Sequence, residues 1–175
     1  MDSLEKIIIG CKEKQHEAQK ALFLMFSEKM LGLCLYYTSD MAEAEDILHD
    51  GFIRIFEQID KYKDSGNFEA WMRRVFINLA LMRFRKKSKI SNIEETPESS
   101  YINKDNFTTI DINIDDMMKM IMNLSHQYRL VFNLYAIEGY KHKEISKMLN
   151  ISIGTSKSNL ARARKILQEQ LKDFE

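Results

Sequence analysis

The chain has 175 residues, 45% of them hydrophobic, and its 26 basic and 26 acidic side chains cancel to a formal net charge of zero. That length allows one ordinary core or two small ones, and no apolar run approaches the roughly 20 residues of a membrane span. Cys11 and Cys34 are too few for a disulfide framework, no Cys/His spacing resembles a metal site, and MDSLEKIIIGCKEKQ lacks a signal-peptide pattern, so free thiols and a cytoplasmic location are expected.

Average charge hides the pattern. Residues 1–70 carry eight Lys/Arg against fourteen acids, a net −6; residues 71–89 carry seven and no acid, a net +7. Residues 90–114 are net −4, and residues 115–175 are net +3. Clustered positive charge of this kind is the footprint of phosphate binding.

Apolar positions recur at i, i+3 and i+4 almost throughout, strand-like alternation is scarcely visible, and an all-α fold is predicted. Ala18 to Tyr37 reads as one long or broken apolar helix, interrupted near Gly32. Ser39 and Asp40 offer a cap for a helix from Met41 to about Ile59, with Glu43, Glu45, Asp46 and Asp50 toward its positive end. Ile47, Leu48, Phe52, Ile55, Phe56 and Ile59 form its apolar band. After the loop KYKDSGN, a third helix runs from Phe68 to about Lys87. There Phe68, Trp71 and Phe76 are interleaved with Arg73 and Arg74, and Asn78 follows; aromatic faces beside cations suit unpaired bases. Trp71 with Val75 and Leu79, at helical spacing, equally fits a core stripe. The segment 88–113, polar, acidic and holding the single Pro97, has a linker composition. It separates domains at 1–87 and 114–175.

The carboxylates at 43, 45, 46 and 50 read as solvated capping charges, because no His or Cys partner supports a catalytic or metal site. No phosphate-binding glycine loop is present, and neither catalysis nor a cofactor is expected.

The most informative stretch is EGYKHKEISKMLNISIGTSKSNLARARKIL, Glu138 to Leu167. Lys141 to Leu149 forms a first helix with Ile145, Met148 and Leu149 on its inner face. Asn150, Ile151 and Ser152 make a short turn, with Ser152 the expected N-cap of a second helix. On that helix Leu160, Ala163 and Leu167 share one face, and Thr155, Ser158, Asn159 and Arg162 are assigned to the opposite one. Small polar residues plus an Arg suit a helix entering the major groove.

A single-strand-binding domain, an acidic linker and a helix–turn–helix together resemble the bacterial sigma-70 superfamily, in its small extracytoplasmic-function (ECF) group. The resemblance rests on AEAEDILHDGFIRIFEQI, FEAWMRRVFINLA and LSHQYRLVFNLYAIEGYKHKEISKMLNISIGTSKSNLARARK, and covers about residues 15–87 and 115–172. It implies that Asp46, Leu48, His49, Asp50, Phe52 and Phe56 dock on the clamp coiled coil of core RNA polymerase, with the polymerase flap a further contact. It implies that Lys63, Asn67, Phe68, Trp71, Arg74 and Asn78 read and open the −10 promoter element, flipping a base from the stack. It implies that Thr155, Lys157, Ser158, Asn159 and Arg162 face the −35 element, Lys157 toward phosphate. It also implies a possible anti-sigma partner, and no membrane insertion.

The chain departs from the family pattern where Ser125 replaces a Pro, Asn159 an Arg, Ser156 a buried Val and Met82 an Asp. Asn159 would then exchange an Arg–guanine contact for an Asn–adenine one. A rival of another class is an autonomous helix–turn–helix regulator binding duplex DNA as a dimer, but the sequence offers it no dimer seam. An RNA-binding adaptor would not need the C-terminal motif, and a membrane-surface helix would need a cleaner apolar face than Arg73 to Lys89 has.

Overall fold

The computed structural model describes residues 4–63, 66–90 and 114–172, with backbone alone at 88–90 and 114–115. Eight α-helices are present among them and no strand. The chain divides into two compact units between Lys86 and Lys87. From residue 91 to 113 the expected linker, with Pro97, lies outside the described residues.

Unit 1 holds α1 (Leu4–Lys12), α2 (His16–Leu35), α3 (Met41–Gln58) and α4 (Phe68–Ile90), with a 3₁₀ turn at Ile59–Lys61. Helix α2 runs unbroken through Gly32, contrary to the expected interruption. One glycine costs a helix only about 1 kcal/mol, and burial of Leu22, Phe26, Met30 and Leu33 outweighs that. Helix α3 starts as expected, with the Asp40 carboxylate accepting the Glu43 backbone N–H at 2.8 Å and Glu43 reaching back to the Ser39 N–H at 3.0 Å. Its buried residues, Ala44, Ile47, Leu48, Gly51, Phe52 and Ile55, fall at i, i+3, i+4, i+7, i+8 and i+11. Gly51 lets α4 come close, so that Phe76 sits where a side chain would be. Phe52 then meets Phe23 at 4.8 Å and Phe76 at 5.5 Å between ring centroids. Both cysteines are free and buried; burial pushes the Cys11 thiol up to about 11 and the Cys34 thiol up to about 12.

Unit 2 holds α5 (Ile114–Met122), α6 (His126–Phe132), α7 (His142–Leu149) and α8 (Ile153–Lys172). A five-residue π-helical turn, Asn133–Ile137, continues α6. Helix α8 packs on α5, α6 and α7, around Leu130, Val131, Leu134, Ile145, Leu160 and Ala163. Buried Arg129 donates to the Met122 carbonyl at 2.7 Å and so satisfies the C-terminal end of α5; burial lowers its pKa. No helix among the described residues is long and apolar enough to cross a membrane.

Candidate nucleic-acid interface

The turn between α7 and α8 is built from local chemistry. Asn150 closes α7 in the left-handed region, at φ 56° and ψ 45°, a conformation Asn tolerates better than most residues. The Ser152 hydroxyl accepts the Thr155 backbone N–H at 2.9 Å and lies 2.9 Å from the Thr155 hydroxyl, so the expected N-cap is present. Ser152→Ala should therefore lower the stability of unit 2 by about 1 kcal/mol, read as a lower thermal midpoint.

Along α8 the buried residues are Ser156, Asn159, Leu160 and Ala163, a stripe at i, i+3, i+4 and i+7. Asn159, assigned above to the groove-facing side, is thus corrected: at 100° per residue it lies only about 40° from Ala163, and its side chain turns inward. The outward arc has Gly154, Ser158 and Ala161 near its centre, Thr155 and Arg162 on one flank and Lys157 on the other. Over the first two turns, small groups in the middle with cations at the edges let a backbone approach another surface closely; one turn further on Lys165 brings a cation to the centre. Lys165 is also exposed on this arc, 3.8 Å from Glu169, and was not singled out from sequence although its spacing from Ser158 and Arg162 is in register. The Arg162 guanidinium donates to the Tyr128 hydroxyl at 3.1 Å, which holds it on the α6 side of that arc.

In unit 1 the aromatic residues gather at the start of α4. Tyr62, Phe68 and Trp71 lie 5.0 to 5.5 Å apart between centroids, and the Lys12 ammonium is 6.0 Å from the Tyr62 ring. The Tyr62 hydroxyl donates to the Gly66 carbonyl. Phe68 is buried at 4% exposure and supports the cluster from below, so it is corrected from a surface contact to a packing residue. Asn67 is exposed, but its side-chain oxygen caps α4 by accepting the Ala70 N–H at 3.2 Å. Trp71 is half-buried, and the core stripe runs through Met72, Phe76, Ile77 and Leu81 rather than Trp71, Val75 and Leu79. Lys63, Arg74 and Asn78 are exposed. Trp71, Arg74 and Asn78, at i, i+3 and i+7, share one helix face.

On α3 the acidic residues face outward. Asp46, His49, Asp50, Ile53 and Glu57 form an exposed stripe at i, i+3, i+4, i+7 and i+11. Leu48 and Phe52, assigned above to a partner surface, are corrected: at 6% and 3% exposure they belong to the core, where their apolar area is withdrawn from water. Phe56 is half-buried. Ile53, 57% exposed amid charge, is the residue the sequence reading missed; its register with Asp46 and Asp50 was the available signal. Arg83 of α4 bridges both carboxylates, at 3.2 Å to Asp46 and 2.5 Å to Asp50. No His, Cys, Asp or Glu group able to hold a metal occurs among the described residues.

A helical unit with an aromatic–basic face and a second carrying a capped helix–turn–helix define a DNA-binding transcription protein. The sequence model of sigma-70 region 2 matches residues 22–90, and that of sigma-70 region 4 matches residues 114–167. The ECF RNA polymerase sigma factor SigW of Bacillus subtilis is 29% identical over 183 aligned positions, covering 98% of each chain. SigE of Mycolicibacterium smegmatis, also an ECF sigma factor, is 27% identical over 85% of this chain and 58% of its own. Among solved structures, CnrH in complex with the cytosolic domain of CnrY matches with a TM-score of 0.53 at 17% identity, covering 99% of this chain and all of CnrH. RpoE of Bartonella quintana with the anti-sigma factor NepR matches at 0.52 and 24% identity, over 87% and 96%. At those identities the structures support the fold alone. The chain belongs to the sigma-70 family, in its ECF group, and is an RNA polymerase sigma factor acting in transcription initiation.

Proposed function

We propose that the outward arc of α8 reads the −35 element, that the face of Trp71, Arg74 and Asn78 with Lys63 engages the unpaired −10 strand, and that the α3 stripe docks on the polymerase clamp. The observation that carries the first is the arc itself, with small residues centred between Lys157 and Arg162. Thr155 and Ser158 then supply short hydroxyl groups at base edges, and Lys157 takes phosphate. Asn159 acts from inside, by packing. Trp71 offers a stacking face on a buried base of Tyr62 and Phe68, while Arg74 and Lys63 hold the backbone. Binding energy, without hydrolysis, then drives promoter opening. An anti-sigma protein is a fitting regulator, since RpoE was solved with one.

The test is loading of the purified protein onto sigma-free core RNA polymerase, competed by a primary sigma factor. A stoichiometric, competable complex is expected; specific duplex binding without any complex would make the chain an autonomous regulator instead. Asp50 refines it. Surface ion pairs are worth about 0–1 kcal/mol, so Asp50→Arg should barely change stability yet weaken loading. Exchanging the pair, Asp50→Arg with Arg83→Asp, restores an internal bridge. Loading should stay weak in the exchanged variant, because the clamp then meets reversed charge; full recovery would assign Asp50 to the bridge alone.

A further inference from the structure

Ser156 is fully buried on the inner face of α8, where its hydroxyl faces the cost of any polar group withdrawn from water. His142, the first residue of α7, meets it: Nδ1 lies 2.9 Å from the Ser156 hydroxyl, across fourteen residues of sequence. The face of the same ring stacks on Tyr135, at 4.7 Å between centroids and 23° between planes. Tyr135 sits in the π-helical turn, and the Arg164 guanidinium lies 5.6 Å from its ring centroid. A continuous path, Ser156–His142–Tyr135–Arg164, thus leaves α8, crosses α7 and the π-helical turn, and returns to α8 eight residues on. The two ends bracket Lys157, Ser158 and Arg162.

We propose that His142 is a positioning residue that sets the seat of the recognition helix on α7, and through it the placement of the −35-reading side chains. Ser156 and Arg164 are then anchor points on either side of the reading segment, and the imidazole joins the buried hydroxyl to the Tyr135 ring. Burial, with Lys157 and Arg164 nearby, lowers the His142 pKa, which favours the neutral ring. A neutral ring protonated on Nε2 accepts through Nδ1 from the serine hydroxyl while its face stays free to stack. An apolar aromatic in its place would keep the stack and orphan the hydroxyl.

The consequence for DNA rests on the sigma reading above; the seating of α8 does not, and the experiment separates them. Three variants of the full chain are compared: His142→Phe, Ser156→Ala and the double variant. The first readout is amide hydrogen exchange across residues 153–165. The second is affinity, on core RNA polymerase, for a duplex selected from a randomised pool by the unsubstituted protein. His142→Phe should speed exchange and weaken duplex affinity by about tenfold, because it strands a buried hydroxyl. Ser156→Ala should cost less, since the half-exposed ring can turn to water. The double variant should recover most of the His142→Phe loss, removing donor and acceptor together. Unchanged exchange in His142→Phe, or losses that simply add in the double variant, would overturn the proposal. Should the pool yield no preferred duplex, the promoter reading fails while the exchange arm still decides the role of His142.

Discussion

Gly51→Ala should destabilise unit 1 by about 2 kcal/mol, although alanine is the better helix former. A Cβ at Gly51 would stand 2.0, 2.4 and 2.7 Å from three ring atoms of Phe76, distances that real contacts do not show. The ring has little room to yield: Phe76 is 1% exposed and packs edge-on against Phe52, itself held by Phe23. Overpacking of a tight core costs about 1–3 kcal/mol, and this site belongs at the upper end. Helix propensity returns about 1 kcal/mol, so the clash wins. The thermal midpoint of unit 1 should fall by roughly 8–16 °C at about 4–8 °C per kcal/mol. Gly32→Ala is the control of opposite sign. Nothing lies within 4 Å of its Cβ, so the same change in an unbroken helix should stabilise by up to about 1 kcal/mol. Adding Phe76→Leu to Gly51→Ala should recover part of the loss; strict additivity would show that the ring is not the obstacle.

These two glycines mark the boundary of what the sequence could tell. Gly51 lies inside α3 and Gly32 in the last turn of α2, and residue type alone does not tell them apart; only the surroundings decide that one is a close-packing contact and the other has open space. Features set by a few adjacent residues were legible: the Asp40 and Ser152 caps, the helix–turn–helix, and Ile145 and Leu149 of the inner stripe of α7, whose third expected member, Met148, is only half-buried. Asn159 was misassigned because residue type was allowed to overrule angle, and its wheel position beside Ala163 would have placed it correctly. Leu48 and Phe52 were given to a partner by the family resemblance, which assigns a whole helix and does not say which of its apolar residues face inward. Ile53 was the better candidate, being apolar on the charged side. The Ser156–His142 contact could not be read at all: neither residue has a local reason to seek the other, and the π-helical turn that sets Tyr135 against the ring has no sequence signal in a chain read alone.

Arg162→Ala should weaken recognition of the upstream promoter box by about 1–3 kcal/mol, roughly fivefold to 150-fold, with loading on polymerase unchanged. The side chain is exposed on the flank of the α8 arc, and the Tyr128 hydroxyl holds its guanidinium at 3.1 Å, so part of its rotamer entropy is lost before DNA arrives. Tyr128→Phe should therefore copy the defect in weaker form, by about 0.5–1.5 kcal/mol. Lys157 stands on the other flank, and Lys157→Ala should lower affinity for all sequences alike and reduce the salt slope by about one. Affinity measured against matched and single-substituted boxes at two salt concentrations separates the cases. Arg162→Ala should flatten the preference at one or two positions, and Lys157→Ala should leave the preference intact while lowering the whole curve. If Arg162→Ala changes only the salt slope, Arg162 holds phosphate as Lys157 does. Base reading would then fall to Thr155 and Ser158 alone, whose short hydroxyls accept either partner and could give only modest sequence discrimination.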